Sequence, residues 1–243
     1  MINGGKRYYK ESKMGKNHLK TLAAPKTWPL KRRLRKYVLR PYPGPHNLRF
    51  SMPLNVILRD LINISENTKE TKKILFSKNV LVDGKRRKEV KFPVGIFDCI
   101  SIKETNQNFR IILNEKGKLD FIEIKDEENS IKPSKIIGKT MMKNSKIQLN
   151  LNDGKNITLD KGDQKVGDTL ILSLPDWNIS KHLKLEKNAI VFFTGGKHIG
   201  STGTVEEIRG SKIIYKNKEG DMVETLKKHA FVIGAGKAEI SLE

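Results

Sequence analysis

Cysteine is almost missing from this chain: Cys99 stands alone, which excludes an internal disulfide and any zinc site built on cysteine. No apolar run approaches the roughly 18 to 20 residues that a membrane-crossing helix requires. The first residues lack the apolar stretch of a secretory leader, so a reducing, cytoplasmic setting is expected. Acidic residues are scarce beside basic ones, 27 against 48, which leaves a formal charge of +21 on 243 residues.

Catalytic constellations are lacking too. His18, His46, His182, His198 and His229 stand singly, without metal-ligand spacing. There is no nucleophile elbow and no GxGxxG. Gly234-Ala235-Gly236-Lys237 has the outline of a phosphate loop, but Phe231 stands where its first glycine belongs and Ala238 replaces the magnesium-binding hydroxyl. That segment is expected to be a flexible tail. No catalytic residue, metal, cofactor or small-molecule substrate is expected, and no membrane partner.

What is present is positive charge. An excess of this size repels itself in a compact state unless a polyanion neutralises it, and a nucleic acid does so through counterion release and steering. Charge alone also fits a merely soluble basic protein, and membrane surfaces are anionic as well. The distribution is more telling. Residues 1–49 hold fourteen Lys or Arg and a single acid, Glu11. Prolines at 25, 29, 41, 43 and 45 prevent long regular elements there. This stretch reads as an extended arm with a helical turn or two around Leu30–Leu39, ordered only against a partner.

An α+β, multi-module chain is expected beyond the arm. Residues 50–104 read as two helices followed by a small sheet. The first helix has Ser51 as cap and Leu54, Ile57, Leu58, Leu61 and Ile62 on one face. The second covers Lys69–Ser77 with Thr68 as cap. Val80-Leu81-Val82, the turn Asp83-Gly84 and Lys85-Arg86-Arg87 then form a hairpin, and Phe97–Ile102 a further strand. Residues 105–177 read as short strands at Phe109–Leu113, Leu119–Ile124, Ile147–Leu151, Asn156–Leu159 and Thr169–Leu174, a central β-barrel-like unit. Asp126-Glu127-Glu128 reads as a solvated loop. Residues 178–243 hold glycine-punctuated strands, the profile of a small SH3-like barrel, and a tail.

Three groups of residues are candidates for RNA contact. In the arm they are Lys20, Lys26, Arg32, Arg33 and Arg35, with Trp28 among aromatic rings (Tyr8, Tyr9 and Tyr37 being others) that can stack on unpaired bases. In the next unit they are Arg49, Arg59, Lys72, Lys73, Lys78, Lys85, Arg86 and Arg87, cations clustered on a rigid scaffold. Each group has a plainer reading: the cations as a solvated face, and Trp28 as packing on its own domain. The third is Lys197 and His198 at the tip of Asn188–Val205, where glycines let the backbone approach another chain. The plainer reading there is a hairpin loop whose glycines only satisfy φ > 0.

These residues resemble a known family. His18-Leu19-Lys20-x-Leu22-Ala23-Ala24-Pro25-Lys26-x-Trp28 is similar to the N-terminal signature of the archaeal and eukaryotic-type small-subunit ribosomal protein family "S four e". Arg40-Pro41-x-Pro43-Gly44-Pro45-His46-x-Leu48-Arg49 and Met52-Pro53-Leu54 continue it. Val80-Leu81-Val82-Asp83-Gly84-Lys85-x-Arg87 resembles the hairpin of that family's α-L RNA-binding domain, and Pro93-x-Gly95-x-x-Asp98-x-Ile100-Ser101-Ile102 its final strand. Asp153-Gly154-Lys155-Asn156-Ile157 and Lys165-Val166-Gly167-Asp168-Thr169 are similar to its central domain. The glycine-rich run with Gly200 looks like a KOW motif, and the whole is archaeal-like in length.

The resemblance implies a structural constituent of the small ribosomal subunit that binds ribosomal RNA and stabilises its folding and assembly for translation. Its implied partners are small-subunit ribosomal RNA and neighbouring ribosomal proteins. Two other classes remain. An RNA-modifying enzyme with an appended α-L domain would need a catalytic domain of its own, and only short modules remain here. A KOW-type transcription factor would need a polymerase-docking surface and leaves the arm unexplained.

Overall fold

The computed structural model describes residues 18–160 and 162–242. Tyr8 and Tyr9, and the other residues before His18, lie outside the described residues. Strands dominate and helices are few, so the helical share of the expected α+β class is small.

The arm from His18 onward is folded onto the rest of the chain. Leu19–Lys20 pairs antiparallel with Tyr37–Val38, closing the loop that holds Arg32, Arg33 and Arg35. The expected helical turns at Leu30–Leu39 are a turn followed by this strand. Trp28 is 1% exposed, packed in the largest hydrophobic cluster with Met52, Leu54, Leu119 and others. Leu119 donates its amide to the Thr27 carbonyl at 2.7 Å. A buried indole explains why this stretch folds despite its prolines: one large ring brings enough apolar surface to anchor it.

Ser51 caps no helix; it lies in strand Ser51–Pro53, paired with Pro93–Gly95. The helix then starts at Leu54 and widens after Val56 into a π-type turn, where the Ile62 amide reaches the Ile57 carbonyl at 2.9 Å. The second helix is Thr68–Ser77, capped by Asn67 rather than Thr68: the Asn67 side chain accepts from the Glu70 amide at 3.0 Å. Glu70 reaches back past the cap, accepting from the Glu66 amide at 2.8 Å.

Three antiparallel sheets follow. The first orders Lys85–Arg86, Val80–Val82, Cys99–Ile102, Gln107–Leu113 and Leu119–Glu123. Strands 107–113 and 119–123 therefore join the unit of residues 50–104 across its expected end. The second orders Asn156–Leu159, Ile147–Leu151, Ile131–Met141, Thr169–Ser173 and Asn178–Leu183. Its eleven-residue strand pairs with 169–173 through its first half and with 147–151 through its second, bending at a bulge between Ile136 and Gly138. The third orders Met222–Leu226, Lys212–Asn217, Thr202–Arg209, Ala189–Phe193, Ala230–Ala235 and Lys237–Ala238. The last strand pairs Gly234 with Ala238, so the expected flexible tail is a hairpin, and Ile240 beyond it is 4% exposed.

Alternation along Ala189–Phe193 and Ala230–Ala235 sends side chains to two cores. Val191, Phe193 and Val232 fill a core that the third sheet shares with Ile171 and Leu183 of the second. Phe192 and Phe231 face the opposite way and meet Phe97, with ring centroids 5.5 and 4.6 Å apart. The C-terminal strands thus share a core with the arm and the first sheet.

Candidate nucleic-acid interface

Thr71 and Leu75 bury one face of helix Thr68–Ser77 and leave Lys72, Lys73 and Phe76 outward. The hairpin that follows turns tightly through Asp83 and Gly84, at φ 51° and 74°, so its returning limb runs back beside the helix. Arg86 then donates to the Phe76 carbonyl at 3.0 Å, satisfying an orphan group at the helix C-terminus. The chain beyond Arg87 brings Lys88, Lys91 and Phe92 to the same place, and the arm adds Tyr42. The result is a groove of about 750 Å³ in which Lys72, Arg86, Arg87, Lys88 and Lys91 surround Tyr42, Phe76 and Phe92, with Glu89 as the one acid. Lys91 lies 4.9 Å from the Tyr42 ring centroid, Lys88 6.0 Å from Phe76, and Arg87 4.3 Å from Phe92. A second hollow continues it past Tyr42 and Lys91 to Arg40 and His46.

Of the sixteen sequence candidates, the groove gathers Lys72, Arg86 and Arg87. Lys73 and Lys85 are exposed nearby in sequence, on the same helix and hairpin, and Lys78 is half-buried at the helix end. Trp28 presents no ring to a base, because it is core. Arg32 is spent within the arm: its guanidinium donates to the carbonyls of Thr21, Leu22, Ala24 and Pro25 at 2.8 to 3.3 Å. Arg59 forms a two-pronged contact with Asp60 at 2.8 and 2.6 Å, and Arg35 stands 3.7 Å from the same carboxylate. Lys20, Lys26, Arg33 and Arg49 are exposed, with Arg49 5.4 Å from the Phe50 ring centroid.

Lys197 and His198 form a separate surface beside the turn 114–117. The glycines there serve an approach within the chain. A Cβ on Gly200 would sit 2.2 Å from the Asn114 carbonyl oxygen, so this loop packs closely on its own neighbour in the chain. The sequence reading missed Lys88, Lys91, Tyr42, Phe76 and Phe92. A signal existed for the first two and the last, which follow the hairpin at Lys88-Glu89-Val90-Lys91-Phe92; Tyr42 is remote in sequence and gave none.

Beneath the hairpin lies a buried ionic node. Lys132, 2% exposed in its side chain, meets Asp83 at 2.7 Å, Asp98, and Asp153 at 3.7 Å. His46 joins Asp98 at 2.9 Å. Lys155 meets Asp153 at 2.9 Å and stands 3.0 Å from the Trp177 ring centroid. Burial would raise the Asp98 carboxyl, but His46 and Lys132 outweigh it and hold it well below the usual range. Burial likewise opposes charge on Lys132, and Asp98, Asp83 and Asp153 overcome it, keeping the ammonium protonated above its ordinary value. Asp83 goes the other way, raised by burial and by Asp98. Gly95 is obligatory here, because a Cβ would lie 2.3 Å from the His46 ring. Asp83 also accepts from the Cys99 amide at 3.1 Å, so the node fixes the turn from which the groove's basic limb departs.

Elsewhere, Arg110 is fully buried and donates to the Glu128 carboxylate at 2.9 Å and to the carbonyls of Glu128 and Ile131 at 2.8 and 3.0 Å. The expected solvated loop at 126–128 is thus a short helix, Asp126–Asn129, that anchors a core arginine. Among the described residues, no group of three or more His, Cys, Asp or Glu is placed to hold a metal ion, and no helix is long and apolar enough to cross a membrane.

Known proteins resemble this chain along most of its length. The family model "Ribosomal family S4e" matches residues 105–179, and an "RS4NT (NUC023) domain" model matches residues 13–49. The small ribosomal subunit protein eS4 of Methanocaldococcus jannaschii is 40% identical over 241 residues, covering 93% of this chain and 98% of that one. The eS4 protein of Methanocella arvoryzae is 42% identical over 224 residues, covering 90% and 94%. A crystal structure of the 30S ribosomal protein S4e from Thermoplasma acidophilum superposes with a TM-score of 0.67 at 34% identity, over 76% of this chain and 95% of that one. Sequence identity sustained along nearly the whole length, with the fold shared as well, shows that the chain belongs to the ribosomal protein family S4e.

Proposed function

We propose that this chain is a structural constituent of the small ribosomal subunit that docks on ribosomal RNA through the groove between helix Thr68–Ser77, the Asp83-Gly84 hairpin and Tyr42. It is a ribosomal protein by family and not an enzyme. The observation that carries the reading is the contrast in charge placement: Asp83, Asp98 and Asp153 are matched to a lysine in the buried node, while the groove's lysines form no ion pair among the described residues. Unmatched cations on a rigid support suit a phosphate backbone recognised by shape.

The finer division of labour belongs to the same proposal. Residues 50–104 act as the α-L RNA-binding unit and the arm as a clamp through Lys20, Lys26, Arg33 and Arg49. Within residues 105–177 the strands of the second sheet act as a central spacer, and within 178–243 the strands of the third sheet act as a KOW-type SH3-like unit. Neighbouring ribosomal proteins would pack on the central sheet, which exposes Ile137 and Met141. The setting would be the cytoplasmic ribosome. Sedimentation of lysate through a sucrose gradient at moderately high salt tests this reading. The chain is expected at near-stoichiometric amount in the small-subunit peak. Recovery at the top of the gradient, or with RNA polymerase alone, would contradict it.

A further inference from the structure

The groove holds more than a phosphate surface needs. Tyr42 is 44% exposed and Phe76 64% exposed, although a large apolar ring gains free energy by leaving water. Phe76 stands on the outward face of a helix whose other exposed positions are lysine, glutamate and serine. Both rings have a lysine ammonium held near the face, and Phe92 carries Arg87 in the same way. A perfect RNA duplex offers cations its phosphates but offers rings nothing, because its bases are stacked on one another. An unpaired nucleotide presents a free base for the ring and a phosphate for the displaced cation.

We propose that this groove recognises an unpaired RNA nucleotide, such as a bulged or loop base, stacked on Phe76 or Tyr42 with its flanking phosphates held by Lys88 and Lys91. The inference rests on the RNA-binding reading and narrows its ligand to helices interrupted by an unpaired base. In the free protein the lysines keep the ring faces occupied; on binding, the base takes the face and the lysines swing to phosphate. The preference is therefore a stacking effect laid over a charge effect, and the two separate experimentally.

The test uses the full chain and two RNA hairpins alike except for one 2-aminopurine bulge. Affinity is measured over a range of salt concentration. Wild type is expected to bind the bulged hairpin about tenfold more tightly, in the range measured for base–aromatic stacking, with the 2-aminopurine fluorescence quenched. Tyr42→Leu with Phe76→Leu should abolish both the preference and the quenching, so that the bulged hairpin binds no more tightly than the uninterrupted one. Phe76→Leu alone serves if the double variant fails to fold. Equal binding of both hairpins by wild type, or a preference that survives loss of the rings, overturns the proposal. Absence of salt-dependent binding to either hairpin would instead defeat the underlying RNA-binding reading.

Discussion

The buried node and the groove above it are built from the same kinds of charged residue and obey opposite rules. In the node, Lys132 has three aspartates around it and almost no water. In the groove, Lys72, Lys88 and Lys91 face solvent or aromatic rings, with Glu89 as the one acid. A buried charge must be matched because desolvation is costly; an exposed charge can stay unmatched and wait for a polyanion. Composition counts both kinds alike, so the total of 48 Lys and Arg overstates how many cations are free to bind. Lys132, Arg110 and Arg32 are internal fastenings.

That contrast can be broken from either side. The largest effect should come from Lys132→Met, which leaves three carboxylates without their central cation; about 3–5 kcal/mol of stability should disappear, read as the shift of a denaturant midpoint. A change too small to move that midpoint would mean that the node is solvated and not structural. Trp28→Ala follows, at about 3–5 kcal/mol if the site collapses little, with the arm becoming protease-sensitive; an arm as protected as in wild type would show that Trp28 does not anchor it.

Acid titration sharpens the same point. Asp98 and Asp153 are held below their ordinary value of 3.8, so their stabilising effect is present above that pH and is lost as pH falls through their folded-state values. Asp83, raised instead, offsets part of this. Asp98→Asn should therefore lower stability at neutral pH and flatten the acid limb of the stability–pH curve; an unchanged acid limb would contradict the assignment. The smallest effect on stability belongs to the groove. Lys72, Lys88 and Lys91→Gln should leave the unfolding midpoint in place. The slope of log affinity for structured RNA against log salt should become shallower by about 0.7 to 0.9 for each phosphate that the variant no longer neutralises.

The sequence shows short strands well where turn residues bracket alternating apolar ones, as at Ile147–Leu151 and Asn156–Leu159, which the structure reproduces. It hides Ile131–Met141, because Lys132, Pro133, Lys135 and Gly138 make that strand look like loop. The two lysines are buried by partners from distant segments, and no local pattern announces those partners. The helix at Leu54 misleads for a related reason: its apolar spacing is correct, but a π-type turn starts right after Val56. Basic residues of the hairpin were legible as a cluster. That Arg86 would cap a helix, that Arg32 would bind four carbonyls and that Trp28 would be core depends on how the chain doubles back.

The most direct test of the account is lysine acetylation of the chain free and within purified small subunits, read residue by residue by mass spectrometry. The account predicts that Lys72, Lys88 and Lys91 react readily in the free chain and are strongly protected in the subunit, while Lys132 is unreactive in both. Equal reactivity of the groove lysines in the two states would contradict the assignment of this groove as the RNA-contacting face.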